Sequence, residues 1–105
     1  MKFVFEVLIE DDHDAEQYAE AWVEASRIIQ QSTGARGTFL HRDLDDPKRL
    51  LAIASWTSRS ARDAAEYADT AEVRRIIAAQ AEHVQIRVIG EFEDPAWQVV
   101  PGDGA

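Results

Sequence analysis

Few residues in this chain have chemistry to offer, and Trp56 is the most conspicuous. It closes the alternating apolar run LLAIASW (50–56), just before Ser-rich punctuation and an Ala-rich helical pattern. An indole there either plugs the core beneath the following helix or forms the wall of a pocket, where its N–H can orient a ligand oxygen while the ring stacks on the ligand. His41, in RGTFLHRD, has a reference pKa close to working pH and is the candidate base. Its structural alternative is a satisfied residue on a strand. Tyr67 precedes an expected break in a helix, where its hydroxyl can reach a cavity mouth. Tyr18, Trp22 and Phe39 complete the aromatic candidates, as pocket lining or as ordinary packing.

Other chemistries find little footing. EDDHD (10–14) gathers four carboxylates and His13, but a strand end followed by a helix start offers no fixed convergent geometry, so no metal site is expected. Acidic groups before a helix N-terminus already answer the positive end of its dipole. Ser55, Ser58 and Ser60 lack the G-x-S-x-G setting of a hydrolase nucleophile. With no cysteine, disulfides, thiolate metal sites and cysteine nucleophiles are all excluded. His83 stands alone in sequence, and Asp45 and Asp46 read as turn formers.

The elements that must position these residues follow from periodicity. Phe3, Phe5, Val7 and Ile9 alternate with polar positions, which predicts a first strand. Tyr18, Trp22, Ala25 and Ile29 recur at helical spacing. Asp14 with Gln17 forms a capping-box pattern and Gly34 suits the residue past a helix end, so the first helix is expected over 14–33. RGTFLHRD predicts a second strand, with Phe39 and His41 on one face and Thr38, Leu40 and Arg42 on the other. LDDPKR is a turn, and LLAIASWT an antiparallel third strand whose two faces are both largely apolar. A second helix is expected from Ser60, continuing through Tyr67 and broken near Asp69, with Thr70 capping its second part. HVQIRVIGEFE predicts a fourth strand with Val84, Ile86, Val88 and Phe92 on one side.

The order β-α-β-β-α-β with two right-handed crossovers implies an α+β, ferredoxin-like plait, a four-stranded antiparallel sheet in spatial order 4-1-3-2 with helices on one face. One domain is expected over 1–93, followed by an extended tail over 94–105. Helices cover only one sheet face, yet Val4, Leu8 and half of the third strand leave the other apolar. A homodimer pairing two such faces would remove that patch from water. The tail around Trp97, Val99 and Val100 either crosses to the partner or folds back on its own subunit.

Composition sets the outer limits. Hydrophobic content of 46% against 30% charged suits a folded domain of 105 residues. A net charge of -9 repels a phosphate backbone, which argues against nucleic acid as a partner. No apolar run approaches the roughly 20 residues needed to span a bilayer, and no membrane partner is expected. The opening residues lack a secretory pattern, so a cytoplasmic location is expected.

Three stretches, GARGTF after the first helix, DPKRLLAIASW through the third strand and IGEFE at the end of the fourth, make residues 3–93 resemble the antibiotic biosynthesis monooxygenases. The resemblance implies a dimeric α+β barrel and places Trp56 near the substrate cavity. Some members of that family oxygenate polycyclic aromatic phenols without metal or flavin, so no cofactor is expected. In such chemistry the substrate, deprotonated to a phenolate or enolate, passes an electron to oxygen itself, and one base in a dry pocket suffices. Haem-degrading members use an asparagine in the first strand, where this chain has Val7, and an axial histidine on the second helix, where EVRRIIAAQ has none. Asparagine is absent altogether, so members that bind substrate through that side chain are imperfect guides. Three readings stand: a cofactor-independent oxygenase of an aromatic or polyketide-like molecule built on Trp56, His41 and Tyr67; an isomerase, cyclase or lyase on the same barrel; and a non-catalytic binding or structural dimer.

Overall fold

The computed structural model describes residues 1–104; Ala105, the end of the expected tail, lies outside them. Strands β1 (Lys2–Ile9), β2 (Ala35–Arg42), β3 (Arg49–Trp56) and β4 (Val84–Phe92) form one antiparallel sheet in the order β2-β3-β1-β4. That is the expected 4-1-3-2 arrangement. Helices α1 (Ala15–Ile29), α2 (Arg59–Asp63) and α3 (Ala71–Gln80), with a 3-10 turn over Tyr67–Asp69, supply the crossovers. Among the described residues, no helix is long and apolar enough to cross a membrane.

Register decides which side chains meet the helices. Phe5 pairs with Ala52 and with Val88, Val7 with Leu50 and Ile86, and Leu40 with Ala52. Directly paired residues project to one side, so this set shares the helix face. Val7, Ile9, Ala15, Tyr18 and Leu50 form the main core there. A second cluster, Ala25, Val73 and Ile76, joins α1 to α3.

Local chemistry moved several boundaries. Asp14 caps α1 in a full capping box with Gln17, as expected, but the helix ends at Ile29 rather than residue 33. Beyond it the amides of Gln31 and Ser32 bond carbonyls three residues back, and the Gln30 side chain accepts from the Gly37 amide at 2.8 Å. The chain is thereby wound down towards β2. The second helix begins at Arg59, capped by Ser58 rather than Ser60, and its first turn ends at Asp63 instead of running to Tyr67. Thr70 caps α3 as expected. In the β2–β3 turn the principal acceptor is Asp43, which takes the amides of Asp45 and Asp46.

Strand β4 carries a larger correction. Its pairing with β1 shifts between Val4 and Phe5, so Val88 faces Phe5 while Gly90 faces Val4. One extra residue reverses the alternation. Phe92 consequently leaves the face of Val84, Ile86 and Val88, and Glu91 joins it.

The face away from the helices holds Val4, Leu8, Phe39, Leu51, Ile53 and Phe92, with Phe39 at 58% and Phe92 at 51% exposure. Trp97 in the tail is 93% exposed, so the tail does not fold back on its own subunit at that residue.

Gly34 has φ 89°, and a Cβ there would lie 2.6 Å from Ala61 Cβ and 2.7 Å from Thr57 Oγ1. Both backbone conformation and space demand glycine where the end of α1 touches α2. Gly34→Ala is expected to destabilise the fold by about 2–4 kcal/mol, read by urea denaturation; an unchanged midpoint would mean that this approach is easily relaxed.

Candidate functional site

Between the helix face of the sheet and the helices lies a cavity of about 730 Å³. Its size falls within the range of small-molecule sites. It exists for two local reasons. On β3, the helix-facing position next before Trp56 is Ala54, too small to fill the space above it. Helix α3 packs against α1 through Val73 and Ile76, leaving its underside separated from the sheet.

The sheet contributes Phe3, Phe5, Thr38, Ala54, Val84, Ile86 and Val88, and α1 contributes Tyr18, Ala21, Trp22, Ala25, Ser26 and Ile29. Helix α3 adds Ile76, Ile77 and Gln80. Ile77, Ile86 and Val88 are each more than 40% exposed, so the cavity opens beside α3 and β4 onto an apolar rim. Trp56 is 4% exposed, and its backbone N–H donates to the Met1 carbonyl at 2.9 Å. The indole is thus fixed at the junction of sheet and α2.

Arginine ties α2 over one end of the chamber. Arg62 Nη1 donates to Glu91 at 3.0 Å, Arg59 Nε forms an ion pair with the other Glu91 oxygen at 2.8 Å, and the Arg62 guanidinium lies 3.9 Å from the Phe3 ring centroid. Glu91 can serve both arginines because the β4 irregularity turns it towards the helices. Asp63, 64% exposed, is the carboxylate among the lining residues.

Three of the expected site residues meet at this cavity: Tyr18, Trp22 and Trp56. Phe39 and His41 do not. Both project from the opposite sheet face, because Thr38 and Leu40 are the β2 residues that pair with Ala54 and Ala52. The expectation that Phe39 lines the cavity with Tyr18 and Trp22 is therefore corrected, and His41 is not available as a base within it. Tyr67 is absent from the wall as well, although its neighbour Ala68 belongs to it. Its amide donates to the buried Ser32 hydroxyl at 3.3 Å, which fixes the 3-10 turn to the end of α1.

Residues that sequence reasoning overlooked include Thr38, Arg62, Gln30 and Gln80. The parity of Ala52, Ala54 and Trp56 was the usable signal, since it marks the roomy face of β3. Nothing in local sequence announces Arg62. His83, solitary in sequence, stacks on His13 with ring centroids 4.4 Å apart and planes 10° apart. His13 Nε2 lies 2.8 Å from Gln80 Oε1, and His83 Nδ1 lies 3.2 Å from Asp12. Among the described residues, no group of three or more such side chains is arranged to hold a metal ion.

A model of the antibiotic biosynthesis monooxygenase family matches residues 4–79, more than half of the chain. The chain belongs to that family. The same fold occurs in solved structures. SnoaB, a cofactor-independent oxygenase from Streptomyces nogalater, is 19% identical with a TM-score of 0.74, the match covering 95% of each chain. A conserved protein of unknown function from Bacteroides thetaiotaomicron is 13% identical with a TM-score of 0.68, covering 83% of this chain and 89% of that one. An antibiotic biosynthesis monooxygenase structure is 17% identical with a TM-score of 0.63, covering 89% of this chain and all of the other. No curated protein matches in sequence. At these identities the likeness concerns the fold.

Burial raises the Tyr18 phenol to about 12. The folded protein then keeps a proton that the unfolded chain loses near pH 10. Its contribution is complete below pH 10 and is lost as pH climbs towards 12, amounting to about 2–3 kcal/mol. Wild type is expected to lose more stability than Tyr18→Phe across this interval, by denaturant titration at stepped pH; parallel curves would count against a buried phenol.

Proposed function

We propose that this family member is a cofactor-independent monooxygenase of a small aromatic or polyketide-like molecule, bound in the cavity between sheet and helices. The observation carrying this reading is an apolar chamber of about 730 Å³, with Trp56 and Trp22 in its wall, on the fold of the monooxygenase family. SnoaB, of the same fold, is described as a cofactor-independent oxygenase.

The chemistry asks the protein for position and dryness. A methylene flanked by aromatic rings and conjugated to a carbonyl ionises to a phenolate-like anion that can reduce oxygen by one electron. Recombination gives a peroxide, which loses water: R₂CH₂ + O₂ → R₂C=O + H₂O. One oxygen atom enters the product and the other leaves as water, with electrons supplied by the substrate. The Trp56 and Trp22 rings offer flat apolar contact to such a molecule, and Phe3, Phe5 and Ile76 keep bulk water from the peroxide stage.

Two copies of the chain would pair through the bare sheet faces, covering Val4, Leu8, Phe39, Leu51, Ile53 and Phe92, with the Trp97 tail reaching across. His41 then belongs to the subunit interface. A stable monomer at micromolar concentration would remove this arrangement.

A second reading, a non-catalytic binding dimer, is favoured by one observation: the lining has a single carboxylate, Asp63 near the surface, and no imidazole. Oxygen-electrode measurements with anthrone and dihydroxynaphthalene substrates separate the two. Uptake is expected for at least one substrate, reduced roughly tenfold or more by Trp56→Phe and unaltered by His41→Ala. Absence of uptake, with aromatic ligands still bound, would leave the binding protein as the surviving reading.

A further inference from the structure

Arg62 is the single cation among the described residues that border the cavity, in a chain whose net charge is -9. One end of its guanidinium is engaged. Nη1 donates to Glu91 Oε1 at 3.0 Å, and Asp63 Oδ1 lies 3.8 Å from the same nitrogen. The central carbon of the group sits 3.9 Å from the Phe3 ring centroid, which holds it against the sheet. Nε and Nη2 share the other edge of the fork and make no hydrogen bond among the described residues. No fully enclosed side-chain nitrogen or oxygen there lacks a partner, so both nitrogens reach accessible space.

The charge of Arg62 is not cancelled by its neighbours. Glu91 divides its two oxygens between Arg62 and Arg59, the latter at 2.8 Å, so these three side chains together carry one positive charge. Asp63 stands largely in solvent at 64% exposure, where water screens it. An anion entering the chamber gives up its hydration and meets the repulsion of an acidic protein, so the wall accepts one only where a cation is already fixed. Nε and Nη2 supply more than charge. Their parallel N–H bonds match the two oxygens of a carboxylate, a fit that a single ammonium cannot make.

We propose that Arg62 is a specificity-determining residue through which the cavity takes aromatic molecules that carry a carboxylate, the two carboxylate oxygens resting on Nε and Nη2. This rests on reading the cavity as a ligand site, and it adds an ionised handle to the aromatic frame of that reading. The handle anchors one end of the ligand beside α2 and takes no part in the oxygen chemistry. A neutral ligand of the same shape leaves half of the fork unpaired inside the chamber.

Equilibrium dialysis near neutral pH with anthraquinone-2-carboxylate and anthraquinone-2-carboxamide tests this, because the two match in shape and differ in charge. Wild type is expected to bind the acid about tenfold more tightly than the amide. Arg62→Gln is expected to abolish that preference while changing amide affinity by less than about twofold. Arg59→Gln removes a cation that shares Glu91 but does not border the cavity, and the preference is expected to stay near tenfold. Equal binding of acid and amide to wild type, a preference that survives Arg62→Gln, equal losses for both ligands in Arg62→Gln, or a preference lost as fully in Arg59→Gln would each overturn the proposal. If neither compound binds wild type, the reading of the cavity as a ligand site falls together with it. Should the preference hold while no aromatic substrate consumes oxygen, the oxygenase reading alone falls and carboxylate recognition by Arg62 stands.

Discussion

Helix α3 is held by α1 rather than by the sheet, and the chamber depends on that arrangement. Val73 and Ile76 close on Ala25 to make a small core of their own, separate from the one that Val7, Ile9, Tyr18 and Leu50 build between α1 and the strands. Two cores with α1 common to both leave a gap beneath α3. If α3 packed directly on β4, Ile86 and Val88 would be covered; instead each is more than half exposed. The apolar surface left bare along β4 opposes folding, and the interior of the gap becomes available to a guest.

The geometry of β3 works to the same end. The small side chain of Ala54 keeps the floor low, while Trp56 closes one end and the Glu91–arginine pairs hold α2 above it. These ion pairs are partly exposed and contribute modestly to stability. Their effect is positional. By binding two residues of one helical turn, a single carboxylate orients a five-residue helix that is too short to persist by itself.

Strand order, capping at Asp14 and Thr70, and the aromatic stripe of α1 were legible because each follows from spacing alone. Trp56, Tyr18 and Trp22 reached the cavity for the same reason. What escaped was parity across strands. Phe39 and His41 alternate correctly along β2, but which face meets the helices is set by register with β3, and a two-strand pattern in isolation is symmetric. Phe92 was misplaced by an irregularity that has no marker in IGEFE beyond its glycine. Arg62 and the His13–His83 stack join residues far apart in sequence, and local periodicity is silent about such meetings. Ser58 rather than Ser60 caps α2 because Ser58 is itself extended and its hydroxyl accepts from the Ala61 amide three residues on.

The added residue in β4 makes the two surfaces of one ribbon heritable as separate units. Upstream of it, side-chain phase is locked to the guest chamber; downstream the phase is inverted, giving Glu91 to the roof and Phe92 to the bare side. Loss of the extra residue alone would keep Glu91 opposite Phe3 and Phe92 opposite Lys2, so pairing with β1, and not the alternation of β4 itself, holds each of them to its surface. The guest chamber and the bare side thus draw on different residues of one strand, and the ladder to β1 keeps the two sets apart.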